Sequence, residues 1–121
     1  MHIGRHGEYH VCALLEAVGV EAIPLGGDHN FDIIGLLPSG KMAKIEVKTA
    51  SQTQERGSFS FYMGKGEPEW LALYAMPTGC VLFMPVAEVG KRKFIRVTVD
   101  KFTPDAQANS LAALLDFGQL G

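Results

Sequence analysis

Asp32, Glu46 and Lys48 are the residues whose types and spacing could do chemistry. Glu46 and Lys48 stand two apart in Lys44-Ile45-Glu46-Val47-Lys48-Thr49-Ala50, where the β-formers Ile45 and Val47 alternate with charged residues. Successive strand residues face opposite sides, so Lys44, Glu46 and Lys48 share one face and Ile45 and Val47 the other. Phe31-Asp32-Ile33-Ile34-Gly35-Leu36-Leu37 reads as the preceding strand, and Pro38-Ser39-Gly40 has the chemistry of a three-residue hairpin loop. With Leu37 and Lys41 bracketing that loop, Asp32 falls opposite Glu46, Ile34 opposite Lys44 and Leu36 opposite Met42. Directly opposed β-carbons lie about 5 Å apart, so the two carboxylates repel. A divalent cation resolves the conflict, because oxygen-rich sites bind hard ions such as magnesium at about 2.1 Å, with waters completing the shell. Lys48 would then orient an attacking water or balance charge on a phosphate, and the set as a whole suits metal-assisted phosphodiester hydrolysis. An ordinary solvated charged face is the plainer reading of the same residues.

The elements that must position these groups follow from the pattern around them. The second face of the hairpin carries Phe31, Ile33, Leu37, Ala43, Ile45 and Val47, a core surface; a two-residue loop would put Asp32 on that side instead. Upstream, Gly7 to Val18 has helical periodicity through Val11, Leu14, Leu15 and Val18, with Gly19 as a C-terminal stop. Glu8 precedes Val11 by three and Leu15 by seven, so it extends the apolar face toward the helix start. It serves either the helix N-terminus or, with Asp32 and Glu46, as a third acidic group reaching the cation directly or through water. Asp28 is a turn residue or an alternative ligand, and Arg5, His6 and His10 read as exposed polar residues close enough to approach the site.

The aspartate followed by Glu46-Val47-Lys48 on the next strand, behind a helix with Gly7-Glu8, resembles the signature of the PD-(D/E)xK nuclease superfamily. The Val47-Lys48-Thr49-Ala50 ending, with a later Leu73-Tyr74 and a Val81-Leu82-Phe83-Met84-Pro85 strand, is most similar to the small endonucleases associated with group I introns, and archaeal Holliday-junction resolvases are similar in the same three motifs. The resemblance spans roughly residues 4 to 90, and Phe31 replaces the name-giving proline. It implies an α/β, restriction-endonuclease-like fold with a central mixed β-sheet flanked by helices. It implies also a magnesium-dependent deoxyribonuclease, with manganese as a substitute. Asp32, Glu46 and the Val47 carbonyl would hold the metal with Glu8 completing the acidic cluster, and Lys48 would activate water and stabilise the transition state.

Composition is consistent with this. A chain of 121 residues fits one domain over 1–121 with a small core, and 47% hydrophobic residues is ordinary for a globular protein. No window approaches the roughly 18 uninterrupted apolar residues of a membrane span, and the first residues lack a signal peptide's apolar run, so a cytoplasmic protein is expected. A formal net charge of −2 argues mildly against non-specific DNA binding, but positive charge is clustered at Lys91, Arg92, Lys93 and Arg96. That cluster is a solvated loop or a phosphate contact. Gln52 and Arg56, in the polar stretch 51–58, belong to a substrate loop or a plain connection. Arg5, Lys44, Gln52, Arg56, Lys91, Arg92 and Lys93 make up the candidate DNA-contacting set. Cys12 and Cys80 have no zinc-like spacing and are expected as buried free thiols.

Strands are expected at Glu21–Leu25, Ser58–Met63, Trp70–Met76, Val81–Val86 and Phe94–Val99, with a turn at Pro77-Thr78-Gly79. Trp70 is expected in the packing. Thr103-Pro104-Asp105 should open a terminal helix whose Leu111, Leu114 and Leu115 face inward and which Gly118 ends. The partner implied is double-stranded or branched DNA. A homodimer or higher homo-oligomer is expected from small size and from apolar residues on both faces of several strands. The alternative function is a non-catalytic nucleic-acid-binding module in a repair, recombination or phage assembly, which has no need of adjacent carboxylates.

Overall fold

A computed structural model describes residues 3–26, 31–52, 57–64 and 66–117; Asp28, Arg56 and Gly118 lie outside them. Helix α1 (Ile3–Ala17) begins at Ile3 rather than Gly7. Its end is as expected: Gly19 adopts φ +88°, and the amides of Gly19 and Val20 donate to the carbonyls of Glu16 and Leu15 at 3.1 and 3.0 Å. This pairing closes the last turn, and it requires a left-handed residue that glycine supplies at little cost. Val20 and Leu15, both buried, then pack together in one core.

Five strands form a mixed sheet in the order β1-β2-β3-β5-β6, from β1 (Glu21–Pro24), β2 (Ile33–Leu36), β3 (Met42–Ala50), β5 (Trp70–Ala75) and β6 (Cys80–Pro85). Only β3 and β5 run parallel. The β2–β3 hairpin has the register read from its loop, with Ile34 opposite Lys44 and Leu36 opposite Met42. Leu37 donates to the Lys41 carbonyl at 2.8 Å, and Gly40 takes φ +94°. Strand β4 (Ser58–Tyr62) does not join this sheet. It pairs antiparallel with β7 (Phe94–Thr98) as a separate two-stranded ribbon.

The sheet therefore has a core on each face. On one, Val11 and Leu15 of α1 and Leu111 and Leu114 of α2 (Pro104–Phe117) cover Ile33, Ala43, Ile45, Trp70, Ala72 and Tyr74. On the other, Phe59, Phe61 and Ile95 of the ribbon, with Phe102, cover Leu71, Leu73 and Ala75. Strand β5 is buried along its whole length because both of its faces are used. For β5 that removes one ground for expecting self-association, since its apolar residues on both faces are consumed within the chain. At the edge strand β6, the Val81 and Phe83 amides donate to Gln107 Oε1 (2.7 Å) and Ser110 Oγ (3.0 Å) of α2, so these edge donors are satisfied internally. The α2 start is capped as expected, with the Ala106 amide donating to Thr103 Oγ1. Cys80 is buried and Cys12 half-buried, both as free thiols. Among the described residues no helix is long and apolar enough to cross a membrane.

Candidate active site

Strand alternation puts Glu46 and Lys48 together on the ribbon side of β3, where their neighbours in β5 are the buried Leu71 and Leu73. Lys48 Nζ lies 3.4 Å from Glu46 Oε1, and both side chains are largely shielded from solvent. Shielding strengthens such a pair relative to a surface one, and it holds both groups in one geometry. Gly64 closes over them: a β-carbon there would lie 2.9 Å from Glu46 Oε1 and 3.2 Å from Lys48 Nζ. Any larger residue would have to push the pair aside. Gly64, which follows the strand expected at Ser58–Met63, is thus part of the site, a role visible only once the ribbon folds back over the sheet.

Asp32 precedes the first paired residue of β2, Ile33, which lies opposite Ile45. Its amide donates to the Ile45 carbonyl at 3.0 Å, and its Oδ2 accepts from the Val47 amide at 2.8 Å. Asp32 so brackets Glu46 through the backbone on either side of it, extending the expected register while turning one carboxylate oxygen to the main chain. Phe31 departs from expectation. It lies beneath Lys44, whose Nζ is 5.8 Å from its ring centroid, and not in the hydrophobic core. The chain bends at residues 31 and 32, so strict alternation does not extend back through them.

Glu8 comes from the other side of the sheet. Because α1 starts at Ile3, Glu8 sits in the second turn and no acidic residue occupies the first. Helix-terminus electrostatics fade within the first turn, so that explanation for Glu8 falls away. Partial burial, and then the negative charge of Asp32, push the Glu8 carboxyl above its ordinary value, against a smaller opposing pull from Arg5. Glu8 in turn helps burial raise the Cys12 thiol, Glu16 adding a smaller push. The helix is seated by Gly7, where a β-carbon would overlap Thr49 Oγ1 and touch Val47 and Tyr74. His10 stacks on Tyr74 at 4.3 Å and His6 meets its edge at 5.7 Å, which ties both histidines to packing.

The carboxylates are thus linked in sequence, Glu8 to Asp32 by field and Asp32 to Glu46 by backbone. Among the described residues no three His, Cys, Asp or Glu side chains converge as a single metal-holding group. The donor types still suit a hard cation, since magnesium keeps several waters and uses one or two carboxylates.

A cleft of about 660 Å³ opens beside Glu46, lined by Tyr62, Met63 and Gly64 and by Lys91, Arg92 and Lys93. Such a volume is that of a small-ligand site. Lys91 and Lys93 are exposed. Arg92 is partly committed, donating from Nε to the Val89 carbonyl at 3.0 Å and from a terminal nitrogen to the Glu88 carbonyl at 2.8 Å. Arg5, Lys44 and Gln52 are exposed. Tyr62 and Gly64 carry no motif that reveals their place beside Glu46.

No family model and no curated protein sequence matches this chain. In three dimensions it is similar to the bacterial homing endonuclease I-Ssp6803I, with a TM-score of 0.80 over 98% of this chain and 92% of that one, at 16% sequence identity. The likeness is one of fold: a central mixed sheet with flanking helices is the architecture the two chains share.

Proposed function

We propose that this chain is a divalent-metal-dependent DNA endonuclease of the PD-(D/E)xK type. The observation that carries the reading is the junction of Asp32 with Glu46-Val47-Lys48 across the β2–β3 hairpin, on a fold shared with a bacterial homing endonuclease. Asp32, Glu46 and the Val47 carbonyl would hold magnesium or manganese, with Glu8 as the adjacent carboxylate; the ion supplies Lewis-acid polarisation of a phosphoryl oxygen and a more acidic water. The chain's own groups do the rest. The Val47 amide fixes the Asp32 carboxylate, and Gly64 and Leu71 shield the Glu46–Lys48 pair from bulk water. Lys48 orients the attacking water and offsets negative charge accumulating on the phosphate. Lys91 and Lys93 supply phosphate contacts from the lining of the same cleft.

Purified protein incubated with magnesium or manganese and linear, nicked, single-stranded and four-way DNA should cut at least one of them. Lys48→Ala should lower the rate by about 100-fold or more, in line with the loss of a positioned acid–base group, while leaving the protein folded, at a cost in melting temperature because Glu46 loses its partner. Binding without cleavage by the wild type would identify a non-catalytic module. Undiminished cleavage by Lys48→Ala would remove this residue from the mechanism. Self-association retains small size as a ground, and two copies would also place one site on each strand of a duplex.

A further inference from the structure

The β4–β7 ribbon turns Phe59, Phe61 and Ile95 to the core, so alternation leaves Ser60, Tyr62, Phe94 and Arg96 on its outer face. There Tyr62 is 71% exposed and Phe94 47% exposed. The two are directly opposed in the register, with ring centroids 5.7 Å apart and planes inclined by 36°. Single exposed apolar residues need no explanation, but two aromatic rings held side by side at a ribbon end form a patch that does.

Three observations say what the patch faces. Tyr62 also walls the cleft that contains Glu46. Gly64, two residues further on and therefore within about 7 Å of chain, lies directly over the Glu46–Lys48 pair. The Met63 amide donates to the Lys93 carbonyl at 2.8 Å, which pins the basic turn against the same segment. Along the ribbon the order is thus Ser60 opposite Arg96, the aromatic pair, Met63 beside Lys93, and then Gly64 over the Glu46–Lys48 pair, so the exposed Lys93 adjoins the aromatic pair on the side toward the carboxylate.

We infer that Tyr62 and Phe94 form a stacking platform for one nucleobase displaced from a DNA duplex beside the scissile phosphate, with Lys91 and Lys93 holding the adjoining phosphates. The inference rests on the endonuclease reading and narrows its substrate to duplex carrying, or readily yielding, an unpaired base. Aromatic rings accept any base face, whereas the lysines read only the backbone, so the platform selects local structure and not sequence. A second copy of the chain is a poorer occupant. A two-fold contact through this patch would press the Lys91–Lys93 turn against or close to its own copy, and like charges so juxtaposed oppose association.

The test measures binding in calcium buffer to three labelled duplexes that differ only at one central position: fully paired, carrying a single bulged base, and carrying the same bulge as an abasic site. Wild type should bind the bulged-base duplex on the order of tenfold more tightly than the paired one, the scale of one base stacked on an aromatic side chain. The abasic bulge should show no such gain. Tyr62→Ala/Phe94→Ala should abolish the preference, and each single variant should reduce it; all three alter exposed side chains, and their melting curves verify folding. Lys91→Ala/Lys93→Ala should instead weaken all three duplexes alike and flatten the salt dependence. Equal wild-type affinity for paired and bulged duplexes, or a preference that survives the double aromatic variant, overturns the inference. So does a double variant whose sole effect is to convert a sedimenting oligomer to monomer. A wild type that cleaves DNA without the preference refutes this inference alone, whereas one that neither binds these duplexes nor cleaves linear, nicked, single-stranded or four-way DNA refutes the endonuclease reading with it.

Discussion

Gly7→Ala tests whether the close seat of α1 on β3 is what places Glu8. In an ordinary helix interior the substitution is stabilising, by roughly 0.5–1 kcal/mol. Here the new methyl overlaps Thr49 Oγ1 and reaches 3.4 Å from Val47 and Tyr74. Thr49 is β-branched, so two of its three rotamers put a heavy atom on the same spot and the third departs from its preference. It belongs to β3 and pairs with Tyr74 of the wholly buried β5, so its backbone cannot recede. Overpacking of this kind costs about 1–3 kcal/mol. Offset by the helix gain, the net loss is about 1 kcal/mol, which lowers the melting temperature of a chain this size by roughly 3–6 °C. The assay is a set of thermal and urea melts on wild type, Gly7→Ala, Thr49→Ala and the double variant. Thr49 Oγ1 is buried without a hydrogen-bond partner, so Thr49→Ala alone should cost little, and it should return Gly7→Ala to about its own stability. A Gly7→Ala protein melting at or above wild type, or one that Thr49→Ala fails to rescue, would show that α1 is not seated as described.

Three further expectations concern the carboxylates and assembly. Glu8 has a folded-state pKa raised above its ordinary 4.5, so the folded protein binds more protons than the unfolded chain between those two values and loses stability as pH rises through them. Glu8→Gln should therefore melt slightly above metal-free wild type at pH 7, by less than about 1 kcal/mol because the group is only partly buried. That advantage should disappear as pH falls toward 4.5; a pH-independent difference would contradict the assigned cause. Asp32→Asn keeps an oxygen to accept from the Val47 amide while removing a charge that repels Glu8, so it should melt at or above wild type in EDTA and lose most of the stabilisation magnesium gives the wild type; equal magnesium responses in the two proteins would count against metal at Asp32. Sedimentation at tens of micromolar should show more than one copy on a cleavable duplex, and monomer alone with and without DNA would remove the two-copy arrangement.

The parts of this site that could be read before folding are those set by local geometry, and the parts that could not are those set by long returns of the chain. Pro38-Ser39-Gly40 fixes the β2–β3 register within a few residues, so the opposition of Ile34 to Lys44 and the nearness of Asp32 to Glu46 follow from turn chemistry and a period of two. Period-two alternation also recovers the two faces of β4 and β7, but it is silent on partners. Phe59 opposite Val97 in a separate ribbon, and Phe59 in an extension of the main sheet, predict the same sequence. Gly64 and Tyr62 reach Glu46 only through that pairing, so nothing near them in sequence marks them as part of a site. Where local rules did mislead, the cause is local too. Alternation stops at the bend at Phe31 and Asp32, and an apolar periodicity that begins at Gly7 misses the first turn of α1, which starts at Ile3. The second error matters for function, since moving the helix start to Ile3 withdraws the helix terminus as a reason for a carboxylate at position 8. What remains for Glu8 is partial burial and then Asp32, opposed by Arg5, and the repulsion between the two carboxylates is a cost that a cation bound between them would recover.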